Sequence, residues 1–548
     1  MFLLLGTALA AQAPAPTPLG KITFPNSGAP AAQPAFIRGV LLLHSFEYDD
    51  AIDAFRAAQK ADPSFALAYW GEAMCFNQTL WYNEDLAKGR DALNRLAPTP
   101  QARQAKAPSP REKGYLDAVE TMFGPGDKAS RNRAYADRMA QLTQEFPDDD
   151  EAAVLYALAL LGTQPESGAR DTAVTLKAGN IALAVLKKNP QHPGAAHYAL
   201  HAFDDGEHSA MGIEAARTYA KIAPASSHAR HMPSHVFLPL GMWDEAAASD
   251  EAAFATSVDL AKKKGLSASQ YDFHALGWLE YEYLQQGRFG KAREAMKTVQ
   301  EVQRVQEVQK VQKVQGVQEV QGVQEVQGVH GHHVESEIGR GYGPMSLKAE
   351  AASMRARYVL ESGDWAEMKG RSNFDNVDEL SALGIASVKL GDLDRAQAAY
   401  EQMKNARDAA PDADNKRVAQ IMMAELAGLI MIARGNSTGG LAALADGARI
   451  EATMPKPIAR PYPVKRATET YAEALLAAGK AGEAMAQYQA ALARTPRRAQ
   501  ALLGLAKAQD AAGQHAAAAK TARDFIAMWH LADATRQELR EARTIASR

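Results

Sequence analysis

Residue types recur along this chain at a spacing of 34 positions, and that period constrains the fold more than any other feature of the sequence. Tyr48, Ala51, Phe55, Ala58 and Pro63 stand at positions 17, 20, 24, 27 and 32 of a unit opening at residue 32. Gly479, Ala484, Tyr488, Ala491 and Pro496 stand at positions 15, 20, 24, 27 and 32 of a unit opening at residue 465, and Gly513 follows Gly479 by another 34. Pro190 and Pro224 set two further openings, at 193 and 227, and Gly241, Trp243 and Ala246 fit the second of these. A unit of this length is two helices and a turn, which cannot bury its apolar face alone and must stack on its neighbours. The pattern predicts an all-α solenoid. Runs of alternating β-branched residues are few and aromatic residues make up only 7% of the chain, which leaves little from which to build sheet.

Weaker units appear at Gly287, Phe289 and Ala292, at Gly363 and Trp365, and at Gly391, Ala396 and Tyr400, with spacings that depart from 34 and so require longer helices or loops between them. The residue types and the period together resemble the tetratricopeptide repeat (TPR). That resemblance implies a right-handed superhelix whose concave groove is lined by positions 2, 5, 9, 12 and 13 of each first helix, and a protein or peptide as the partner in the groove. Two blocks, HPGAAHY at 192–198 and HMPSH at 231–235, resemble a group of exported bacterial TPR proteins of unsettled activity. They imply a fold and a binding role rather than a reaction.

The chain divides by composition into four stretches. Residues 1–20, beginning MFLLLGTALAAQA and passing into APAPTPLG, read as a signal peptide and linker with a cut after Ala10 or Ala13, which predicts a periplasmic or secreted protein. Residues 21–298 form an N-terminal array, 299–345 a low-complexity insertion and 346–548 a C-terminal array. In the insertion a valine recurs at every third position, eleven times from Val299 to Val329. A period of 3 spirals round a helix of 3.6 residues per turn and makes no buried stripe, so this segment reads as part helical extension and part loop. Its His330, His332 and His333 read as solvated. The net charge of −3 marks no basic surface for nucleic acid. No segment after the leader reaches the roughly 18 apolar residues of a membrane span. The single cysteine, Cys75, excludes cysteine-cluster metal sites.

Seven of the 14 histidines fall between positions 192 and 235. His197 and His201 are four apart, as are His231 and His235, and the second pair repeats the first at an offset of 34. Each pair therefore stands on one helix face, at positions 5 and 9 of adjacent units, and the four imidazoles are expected close together. His192 and His228 lie near enough to join them, and Asp204 and Asp205, at positions 12 and 13, could add carboxylates. Three arrangements satisfy this pattern: a site for a divalent transition metal such as Zn, Cu, Ni or Fe, a groove surface that hydrogen-bonds a peptide, or a packed seam between repeats. Two details bear on the choice. Pro233 interrupts the second pair and removes a helical N–H. Neither pair reads HExxH, because Tyr198 and Met232 follow the first histidines, so the general base of a zinc hydrolase is missing from its usual place.

Other groove positions carry candidate partner-binding residues. Trp70, Asn77 and Gln78 occupy positions 5, 12 and 13 of the unit opening at 66; Arg466, Glu469 and Glu473 occupy 2, 5 and 9 of the unit opening at 465; His274 occupies position 2 of the unit opening at 273. The expected function is a scaffold that holds a protein or peptide partner. The alternative is a metal-binding protein or metalloenzyme built on the two HxxxH pairs.

Overall fold

The computed structural model describes residues 19–165, 170–314, 347–372, 374, 376–410, 412–460 and 462–548. Residues 1–18, on which the expected signal peptide falls, and most of the valine-repeat insertion, including His330, His332 and His333, lie outside the described residues. The first part of that insertion continues the helix Phe289–Val314.

The 34-residue units are antiparallel helix pairs. The unit opening at 32 forms helices Gln33–His44 and Tyr48–Ala61; the unit opening at 465 forms Ala467–Ala477 and Ala481–Arg494, followed by Ala499–Ala511 and His515–Met528. The aromatic at position 24 explains why consecutive units stack. Phe55 and Tyr488 are buried, and each lies against a glycine at position 6 of the next unit. A Cβ on Gly71 would stand 2.2 Å from the Phe55 ring, and one on Gly504 would stand 2.3 Å from the Tyr488 ring. The same contact at opposite ends of the chain is the repeat expressed in packing. The fold is an all-α solenoid of TPR-type helix pairs. Among the described residues the only strands are Asn77–Gln78 and Asn83–Glu84, which pair antiparallel with Asn77 opposite Glu84.

In five of the pairs position 15 ends the first helix in the left-handed conformation, which a glycine adopts without steric cost. Gly241, Gly287, Gly479 and Gly513 hold it at φ of 67°, 73°, 76° and 76°. In the unit opening at 32 the residue is Phe46, at φ 59°. A phenylalanine there carries backbone strain of about 1–2 kcal/mol.

The apolar core does not divide at the insertion. One cluster of buried side chains runs from Leu19 to Ala246, and a second runs from Leu238 to Ile545, drawing on residues from both sides of the insertion. The superhelix closes on itself: Trp243 donates from Nε1 to the Arg497 carbonyl at 2.9 Å, and Arg498 reaches Tyr281 at 3.0 Å. Enclosed by these turns is the helix Phe273–Gln285, every residue of which is buried. No described helix is long and apolar enough to cross a membrane.

Candidate metal centre

Two preceding first helices meet this enclosed helix. Pro193–Ala202 starts at His192, whose Nδ1 accepts from the Ala195 N–H at 3.2 Å, with Pro193 fixing the first turn. The next first helix is broken, as Pro233 requires, into Ser227–His231, capped by Ser226, and Ser234–Phe237. Phe273–Gln285 is capped by Asp272. The break leaves His231 and His235 facing one another, with Nε2 atoms 3.0 Å apart.

The structure distributes the histidines as two triads instead of one group of four. His197, His201 and His228 form the first; His231, His235 and His274 form the second, and all six are buried. One rule generates both: positions 5 and 9 of one first helix meet position 2 of the next. His228 therefore belongs with the first pair. His274, expected to face a partner, belongs with the second. The longer gap before 273 arises because the intervening second helix, Trp243–Lys264, runs to 22 residues.

Hydrogen bonds fix the chemistry of these nitrogens. In the first triad, His197 Nδ1 lies 2.6 Å from the His44 carbonyl oxygen, which can only accept, so Nδ1 carries the proton and Nε2 presents its lone pair. Burial holds this imidazole neutral, lowering it to about 3. Against that single lone pair stand His228 Nε2 at 2.9 Å and His201 Nε2 at 3.0 Å. Burial likewise lowers His201 well below its usual value. Phe46 covers all three rings, 4.3 Å from that of His197, while Trp81 packs edge-on to His201 and His228 and Tyr219 stacks on His197.

In the second triad, His231 Nδ1 lies 2.6 Å from Asp250 Oδ1 and His235 Nδ1 lies 2.9 Å from Asp204 Oδ2. Burial pushes the carboxyls of Asp250 and Glu282 well up. The Nε2 atoms of His231 and His235 face each other at 3.0 Å. Trp278 packs against all three rings of this triad.

A metal ion with Zn–N bonds of about 2.0–2.1 Å in tetrahedral geometry sets its nitrogen ligands about 3.3 Å apart. The His197–His228, His197–His201 and His231–His235 separations need to open by only a few tenths of an ångström. Imidazoles that donate their other N–H to a carboxylate or a backbone carbonyl are the usual form of metal-ligating histidine. Three of the six have such a group against the other nitrogen here. Each triad brings three imidazole nitrogens within 4.8 Å of one another and leaves a fourth position to another ligand.

A third group, His44, Glu151 and His192, is of a different kind. His44 Nε2 donates to Glu151 at 2.9 Å and its Nδ1 accepts from the Tyr198 hydroxyl at 2.9 Å. His192 Nδ1 is used in capping and its Nε2 faces Glu151 at 3.2 Å. Burial raises Glu151, but His192 and His44 outweigh it and hold the carboxylate at about 2. His192 thus caps its helix through Nδ1, while its buried Nε2 and Glu151 Oε1 have no hydrogen-bond partner among the described residues.

The remaining sequence candidates fall in other places. Asp204 stands behind His235 as its hydrogen-bond acceptor, and Asp205 turns away to His208 at 2.8 Å. Trp70 is 0% exposed and packs on Phe24 and Tyr115, so it is core and not an accessible anchor. Asn77 is buried in the two-residue ladder and Gln78 accepts from Asn83 at 3.1 Å. Arg466 is committed to Glu451 and Thr495, both at 2.8 Å, and Glu469 to Arg498. Glu473, unlike Arg466 and Glu469, lines a cleft, where it pairs with Lys465 at 2.7 Å. Sequence reasoning missed His44, Glu151, Phe46 and Asp250. For two of them the repeat frame holds a signal: Phe46 replaces the glycine of position 15, and Asp250 replaces the aromatic of position 24.

No family model matches the chain, and no curated protein does. Similar solved structures include Cut9–Hcn1, an APC/C hetero-tetramer, at 9% identity over 96% of this chain and 77% of that one, with a TM-score of 0.29. The TPR domain of P58(IPK) matches at 16% identity over 88% and 98%, TM-score 0.23, and the human IFIT1 dimer with m7Gppp-AAAA at 11% over 91% and 90%, TM-score 0.31. The repeat architecture rests on the helix pairs themselves, and these similarities add neither an activity nor a partner.

Proposed function

We propose that this protein binds transition-metal ions in two buried tris-histidine sites carried by a helical-repeat scaffold. The observation that supports this most is the meeting, twice over, of three buried imidazoles whose ligand nitrogens lie within 4.8 Å of one another, with His231 Nε2 and His235 Nε2 3.0 Å apart. Elemental analysis tests it. Tag-free protein loaded with excess Zn(II) and desalted should retain two equivalents per chain, and His197→Ala and His231→Ala should each remove one. Retention of less than a tenth of an equivalent by the wild type would sink the reading.

The scaffold also offers a polar cleft of about 200 Å3 in the C-terminal array, lined by Trp365, Lys389, Lys465, Glu473 and Gln500 among others. Lys465 bridges Glu473 and Gln500 there, at 2.7 and 2.9 Å, and these residues occupy the same positions 9 and 2 that hold the histidines upstream. A partner segment with charges of both signs fits this cleft. Glu473→Lys should then weaken capture of the partner without changing metal content; equal capture by the variant would remove the cleft from the account.

A further inference from the structure

The first histidine triad comes nearest to solvent on one side. His197 is 0% exposed, whereas His201 and His228 keep 5% and 7% of their surfaces. Trp81 lies on that side, edge-on to the His201 and His228 rings at 6.2 and 5.3 Å and to that of Phe46 at 5.5 Å. The indole is itself half-buried. Trp278, which packs on the second triad, is 0% exposed and belongs to the enclosed helix.

The segment that carries Trp81 is anchored at its ends and lightly held between them. Thr79 is buried against Gly162, where an added Cβ would stand 2.3 Å from its methyl group, and Glu84 pairs with Arg131 at 2.5 Å. Between these anchors Trp81 ends the single turn Thr79–Trp81. The strands on either side pair through two residues each, a ladder too short to be stable by itself. Tyr82 follows at φ 53°, in the left-handed region that strains a non-glycine backbone. Its hydroxyl donates to the Pro165 carbonyl at 3.2 Å, an exposed bond that water can replace. Moving the turn outward frees Tyr82 from that conformation, which offsets part of the lost ring contact. A buried site exchanges its ion only through such an opened form. Resting on the metal-binding reading above, we propose that Trp81 is the gate of the first triad: the turn at 80–83 swings the indole off His201 and His228 to admit a divalent transition-metal ion, then closes over it.

Stopped-flow mixing with Zn(II), and displacement of bound Zn(II) into a chromophoric chelator, give the association and dissociation rates of each equivalent. His197→Ala deletes the first triad's equivalent and so assigns the phases. In Trp81→Ala both rates of that equivalent should rise by the same factor, about tenfold or more, since an open form populated at about 0.1–10% limits entry and exit alike. Its dissociation constant should then move by less than about threefold, and the other equivalent should keep its rates. Trp81→Phe retains a smaller ring and should fall between; it carries the test if circular dichroism shows that Trp81→Ala does not fold. Unchanged rates, a rise in dissociation rate alone, or the same rise at both equivalents would overturn the gate and leave the metal-binding reading standing. Failure of the wild type to take up Zn(II) at all would overturn the two together.

Discussion

Phe46 yields the sharpest stability prediction. Its φ of 59° lies where the other units place glycine, and its ring covers the first histidine triad. Truncating a buried phenylalanine costs about 3–5 kcal/mol in lost burial and cavity formation. Phe46→Ala suffers that loss and keeps the left-handed strain. Phe46→Gly suffers the same loss but recovers about 1 kcal/mol, because glycine accepts this conformation without penalty. The glycine variant should therefore be the more stable of the two by about 1 kcal/mol, the reverse of the usual order at helix positions, where alanine leads by a similar amount. Urea unfolding followed by circular dichroism, run on both variants in metal-free buffer, gives the difference directly. If Phe46→Ala matched or exceeded Phe46→Gly in midpoint, the ring would not be held in place at the expense of backbone strain.

Three further outcomes follow from the packing and the buried charges. Phe55→Ala should destabilise the N-terminal array by about 3–5 kcal/mol, since the ring fills the space against Gly71, and limited proteolysis should then cut first among the early repeats. His197, neutral in the fold down to about pH 3, ionises in the unfolded chain near pH 6.5. Metal-free protein should thus lose about 1.4 kcal/mol of stability per pH unit from this group as pH falls from 6.5 towards 3, and His197→Ala should flatten the pH slope by one proton. Glu151, held at about 2 against an ordinary 4.5, adds a second loss between those two values; a pH titration of the melt that showed no decline below 6.5 would contradict both assignments. His44→Ala leaves the buried Glu151 carboxylate without its nearer partner and should cost about 3–5 kcal/mol. Metal stoichiometry in that variant should stay at two, whereas loss of one metal would make the third group a ligand set after all.

The period of 34 was enough to place the helix pairs, because the aromatic, alanine and proline positions are the packing contacts themselves. It also put both HxxxH pairs on equivalent faces and flagged the break at Pro233. It did not separate the four histidines into two sets. That separation depends on position 2 of the following helix, where His228 read as marginal and His274 as a partner contact. Asp250 sits at position 24 of its unit, where an aromatic is ordinary, so a carboxyl in a core position could have been noticed. His44 could not have been placed by any local pattern: its carbonyl reaches His197 across 153 residues of sequence. Trp70 and Arg466 illustrate the opposite error. Trp70 is covered by Phe24 and Tyr115, and Arg466 is held by Glu451 and Thr495, neighbours that a single repeat frame does not show.

The most direct test of the central claim is X-ray absorption on protein loaded with Zn(II) to saturation and desalted. The account predicts about two equivalents of zinc, each with three imidazole nitrogens at about 2.0–2.1 Å and one further light ligand. A first shell dominated by oxygen, or fewer than two imidazoles per metal, would mean that the ion sits elsewhere and that the two triads are packing.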